Sequence, residues 1–223
     1  LESNKKHVPV PVIVIYSLVF YAVWAVFTLL IEPLLGDSIK NEILLRIVKE
    51  GIIKNLVWTV PAMLLVYHFR DCVFIGLREM FTTKVKWLRY LPVFIFFTLW
   101  IAGGSFMRRK ELSINEGFGI PDMIIVLFVG ITEEMVFRGW LLNATVREDN
   151  KWPYILLNAL MFMAIHFPIW ISTGIFVSCF TSLCFVSIII LSFIFSLTFL
   201  KSRNILVPVA LHMYWDLLMF MYN

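Results

Sequence analysis

Long apolar stretches alternate with short polar ones along the whole chain. A bilayer core of about 30 Å takes about 20 apolar residues per helix. Seven segments approach that measure: residues 9–31, 52–69, 90–107, 122–146, 152–170, 174–200 and 205–222. The first stops at Glu32-Pro33, the second has Lys54 and Asn55 at its mouth, and the third holds Gly103-Gly104. Only Ile171-Ser172-Thr173 parts the fifth from the sixth. The pattern predicts an all-α, polytopic transmembrane helix bundle of about seven spans. Two connections read as interfacial amphipathic helices. In 38–50, Ile39, Ile43, Leu44, Ile47 and Val48 lie opposite Lys40, Asn41, Glu42, Arg46 and Lys49, which suits a helix in the headgroup plane. The basic segment 70–89 reads the same way. With no internal repeat and no linker, residues 1–223 are expected to form a single membrane domain.

Composition narrows the class. The chain is 61% hydrophobic and 15% charged, against about 45–50% and about 25% in soluble domains. A soluble enzyme of this size has no interior large enough for that excess. The absence of low-complexity tracts and heptads excludes disorder, collagen and coiled coil. The net charge of +4 suits basic cytoplasmic loops and anionic lipid and calls for no nucleic-acid partner. With seven spans, the amino-terminal side collects eleven Lys and Arg, from Lys5 and Lys6 to Lys201 and Arg203, against seven opposite. That bias favours a cytoplasmic amino terminus in the cell membrane. Residues 9–31 read as a retained span, since no cleavage site follows a short apolar core. Cys72 lies between spans, while Cys179 and Cys184 lie in one apolar run at a spacing that shares no helix face; they read as buried packers.

Ionisable side chains inside apolar helices are costly unless they face a protein cavity. Three spans hold them. The fourth carries Glu133, Glu134 and Arg138, the fifth His166, and the seventh His212 and Asp216. At 1.5 Å per residue, Glu133 lies about 16 Å into its span, His166 about 20 Å, and His212 and Asp216 about 10 and 16 Å. Three helices can therefore bring these groups to one level near the midplane, which isolated structural polar residues have no reason to do. Glu134 and Arg138, four apart with the acid first, are placed for a helical ion pair. Glu133 is turned about 100° away and left free of Arg138, which suits a general base. His166 and His212 could bind water, a metal or an oxyanion.

In order, Glu133-Glu134-x-x-x-Arg138, Phe162-x-x-x-His166 and His212-x-x-x-Asp216 resemble the three motifs of the CAAX-protease and bacteriocin-processing family of intramembrane proteases. That family includes the type II CAAX endopeptidases and the Abi-type membrane proteins. The resemblance covers residues 122–222, the expected catalytic core. It implies that Glu133 and His166 activate a water to attack a peptide carbonyl, that His212 and the residue at 216 stabilise the oxyanion, and that Glu134 and Arg138 hold the helix. The commonest pattern has asparagine where this chain has Asp216. Three carboxylates against one arginine leave two charges to be cancelled, by protonation, by a histidinium, or by a Zn2+ on Glu133, His166 and His212. The reading favoured here is metal-free. The expected activity is endopeptidase cleavage of a membrane-associated or hydrophobic substrate, either a peptide or small-protein precursor, as in bacteriocin processing, or a lipid-modified tail. The alternatives are an inactive immunity or scaffold relative and a proton-coupled transporter. Against the last stands the lack of repeated halves.

Overall fold

The computed structural model describes residues 6–147 and 149–222; Lys5, counted among the basic residues above, lies outside the described residues. Every regular element among them is helical. In chain order these are α1 (Val10–Ser38), α2 (42–68), α3 (Leu77–Thr82), α4 (Trp87–Arg109), α5 (120–145), α6 (Trp152–Ser172), α7 (Phe176–Thr181), α8 (Cys184–Ser202) and α9 (Leu206–Tyr222). Helices α1, α4, α6 and α8 are long and apolar enough to cross a bilayer, and α9 is a shorter apolar helix. Helices α2 and α5 are also long, but carry charged side chains within their apolar runs. The result is the expected all-α membrane bundle, its long helices following the predicted apolar segments in order.

Three boundaries differ from the hydropathy pattern. Glu32-Pro33 does not end α1, which continues to Ser38. A proline inside a helix leaves the carbonyl four residues back without a donor and crowds it. Here a widened π-type turn over Phe27–Ile31 precedes Pro33 and moves the carbonyls aside.

The segment 38–50 is not a separate surface helix either. Asn41 caps α2 by accepting from the Leu44 amide at 3.0 Å, and the helix then runs unbroken to His68. Further π-type turns over Ile47–Ile53 and Asn55–Thr59 shift its rotation, and Lys49, Glu50 and Lys54 are buried. The segment 70–89 contains a short helix, α3, whose Met80 is fully buried.

The predicted span 174–200 is two helices. The hydroxyls of Ser178, Thr181 and Ser182 bond back to carbonyls of their own turn, which loosens the backbone ladder. The chain then passes through Leu183 at φ 60° before α8 begins. The break leaves Cys179 on α7 and Cys184 at the start of α8, so the two share no helix. Cys179 is buried as expected, but Cys184 is exposed; all three cysteines are free.

Helix α5 occupies the middle of the bundle. Its Phe137 packs edge-on against Phe20 of α1 and Phe162 of α6, and Phe20 in turn meets Trp58 of α2. At its crossing with α9, a Cβ on Gly130 would lie 2.8 Å from Met213 Cγ and 3.3 Å from the Met213 amide. Backbone cannot yield as a side-chain tip can. Gly130→Ala should therefore destabilise the protein by about 1–3 kcal/mol, the usual cost of overpacking, visible as a lower melting temperature in detergent.

Candidate active site

Adjacent acids on α5 meet opposite surroundings. Glu134 is fully buried, and its Oε1 accepts from Arg138 Nη1 at 3.0 Å and from His212 Nδ1 at 2.9 Å. Arg138, also fully buried, donates through Nη2 to the Ser192 hydroxyl at 2.7 Å and the Ser192 carbonyl at 3.2 Å on α8. Its guanidinium lies 4.4 Å from the Phe162 ring centroid and 5.3 Å from that of Phe195. Glu133, one residue earlier and 8% exposed, opens onto a cavity of about 780 Å³. His166 of α6 and Trp215 and Asp216 of α9 line the same cavity.

The chain fixes His166 through a local defect in α6. Pro168 offers no N–H to the carbonyl of Ala164, and the helix tightens at Ile165-His166. The His166 amide bonds three residues back, to Met163, at 3.1 Å. The Phe162 carbonyl is then taken by the His166 ring, with Nδ1 at 2.9 Å. A carbonyl only accepts, so Nδ1 carries the hydrogen and Nε2 keeps its lone pair in the neutral ring. Helix α1 holds this turn from outside. Trp24 Nε1 donates to the Ile165 carbonyl at 2.8 Å, and the Tyr21 hydroxyl donates to that of Met161 at 2.6 Å.

On α9, His212 sits behind the cavity wall, stacked 4.9 Å from the Phe195 ring. Its Nε2 lies 3.5 Å from Asp216 Oδ2 and 3.9 Å from Glu133 Oε2. Both ring nitrogens thus face carboxylates. The structure brings all six motif residues into one connected group: Glu133, His166 and Asp216 at the cavity, His212, Glu134 and Arg138 packed behind. The helical pair Glu134–Arg138 forms as its spacing suggested, and Glu134 also reaches across to His212, which its spacing could not show.

A metal on Glu133, His166 and His212 would need their donors to converge. Among the described residues, no three His, Cys, Asp or Glu side chains do so. His212 instead directs Nδ1 at Glu134, and its Nε2 approaches Asp216 more closely than Glu133. The residues as placed do not form a zinc-ligand set.

Several residues of the site escape the motifs. Lys54 of α2, 7% exposed, lines the cavity, pairs with Glu50 Oε2 at 2.5 Å and lies 4.9 Å from the Trp24 ring centroid. From Glu50 the ion pairs continue to Lys49 and on to Glu32 of α1. A lysine inside an apolar helix is the signal that could have flagged Lys54, but the apolar run 52–69 placed it at a mouth. Ser192 and Phe195 give no such signal, since serine and phenylalanine are ordinary in a membrane helix. Because Glu50 accompanies Lys54, this cation does not remove the excess of carboxylates.

Residues 119–218 match the family model described as Rce1-like, type II CAAX prenyl endopeptidase Rce1-like. This is the family that the three motifs resemble, and the matched segment contains all six motif residues. At family level the match supports an intramembrane protease of CAAX endopeptidase type, with a peptide substrate in a membrane. With its several long apolar helices, the chain is a multi-pass membrane protein. No curated protein and no solved structure matches it.

Proposed function

We propose, from a segment of the type II CAAX prenyl endopeptidase family with this arrangement of groups, that the chain hydrolyses a peptide bond within the membrane by metal-free water activation. The observation that carries the reading is the division of labour on α5: Glu134 is tied into a buried network, while the neighbouring carboxylate, Glu133, faces a cavity beside His166. A water between the Glu133 carboxylate and the lone pair on His166 Nε2 can lose a proton as it attacks the scissile carbonyl. The proton passes to the departing amine. His212, carrying a hydrogen on Nε2, donates to the developing oxyanion, and Asp216 in its neutral form adds a second donor where the family more often has an amide. Glu134 and Arg138 position His212. The substrate is a membrane-associated or hydrophobic peptide, of which a prenylated carboxy-terminal tail is the form that the family description names. The amino terminus is cytoplasmic on this reading, the side that the eleven-to-seven bias of basic residues favours.

The test is cleavage by the purified protein in proteoliposomes, with peptide products identified by mass spectrometry and bound metal measured on the same preparation. The expected result is product formation that persists in chelator, with zinc well below one per chain. Stoichiometric zinc with chelator-sensitive cleavage would overturn the metal-free reading. No cleavage of prenylated or unprenylated hydrophobic peptides would count against the protease itself.

A further inference from the structure

At one end of the bundle, away from the acidic site, a second cavity of about 570 Å³ is lined by Arg147, Lys151, Lys201 and Arg203 over apolar walls that include Leu197 and Leu200. No acid among the described residues lines it. We propose that this cavity binds the phosphate of an anionic phospholipid, with an acyl chain of the same molecule lying along α8.

Its position in the fold sets it at headgroup level. Lys151 immediately precedes α6, and Lys201 stands in the last turn of α8; both helices are long and apolar enough to cross a bilayer. Trp152, beside Lys151, is 56% exposed, and tryptophan favours the boundary between hydrocarbon and headgroups. Lys151 lies 5.4 Å from the centre of that ring.

The cations are held in different ways. Arg203 is fixed, with Nε donating to Glu79 Oε1 at 2.7 Å and the guanidinium 4.8 Å from the Phe74 ring centroid. Arg147, Lys151 and Lys201 are exposed at the cavity rim. Cations gathered around one concavity repel one another, and a phosphodiester relieves that repulsion while accepting several N–H donors. Basic pockets between membrane helices are recurrent headgroup sites. The leucines of α8 distinguish a lipid from a soluble phosphate, because a small hydrated anion gains nothing from an apolar wall.

Native mass spectrometry of detergent-solubilised protein, titrated with phosphatidylglycerol or phosphatidylcholine, tests the proposal. Wild type should bind phosphatidylglycerol in clear preference. Arg147→Gln with Lys201→Gln should weaken that binding by about thirty-fold, and either change alone by about fivefold, as expected for losing lipid-facing cations. Arg147→Lys with Lys201→Arg should retain it. So should Lys84→Gln with Lys86→Gln, which removes equal charge from the α3–α4 connection outside the cavity. Equal losses in the two glutamine pairs would reduce the effect to general surface charge and overturn the site. Binding of phosphatidylcholine as strong as that of phosphatidylglycerol would overturn it too. Full displacement by millimolar inorganic phosphate would assign the cavity to a soluble anion instead.

Discussion

Glu133→Gln should lower the rate of peptide cleavage by about 10²–10⁴-fold, the range that a positioned general base contributes. Glutamine keeps the shape of the side chain and removes its ability to take a proton. The fold should tolerate the exchange, because Glu133 faces the cavity and stands 3.9 Å from His212 Nε2, beyond hydrogen-bond distance. A melting temperature close to wild type, together with product formation reduced to traces, is the expected pair of measurements. Unchanged turnover would remove Glu133 from the mechanism. Collapse of the fold would show that the carboxylate is structural, contrary to its placement.

Arg138→Met should have the largest effect on stability. It leaves Glu134 fully buried, without the guanidinium and with His212 as its remaining partner. Breaking a buried pair from one side costs about 3–5 kcal/mol, chiefly because the surviving charge stays desolvated. The Ser192 hydroxyl also loses its donor, and the rings of Phe162 and Phe195 lose the cation packed near both. Removing both partners, as Glu134→Gln with Arg138→Met, should cost less than the sum of the single changes, since no unpaired charge remains. Denaturant titration in detergent on the four proteins gives the cycle. A loss under about 1 kcal/mol in Arg138→Met would mean that water reaches the pair, in conflict with its complete burial.

These predictions rest unequally on what the linear chain shows. Glu133, His166, His212 and Asp216 stand out in the sequence because ionisable groups are rare in apolar helices, and rise per residue alone gives them similar depths. The all-α class and the order of the long helices were legible too, since bilayer thickness demands a long apolar run for each span, but their number was not: the run 174–200 is two helices. Phase was not legible. The π-type turns in α2 rotate Lys49, Glu50 and Lys54 inward, so a segment that reads as a surface helix of regular period becomes part of a cavity wall. The break at Leu183 depends on hydroxyls bonding to their own backbone, which apolarity does not register. Trp24 and Tyr21 belong to a stretch without any motif, yet they hold two carbonyls of the turn that presents His166.

The sequence by itself determined that this is a membrane protein with a set of ionisable groups at one depth in three helices. Spacing along a helix yields height and angle, and those suffice to separate Glu133 from the Glu134–Arg138 pair. The tertiary structure decided which helix faces which. It seated Arg138 on Ser192 of α8, joined Glu134 to His212 of α9, and left Glu133 beside the cavity. The reason is physical: a hydrogen bond within one helix follows from its period, whereas one between helices depends on crossing and rotation set by the packing of the whole bundle.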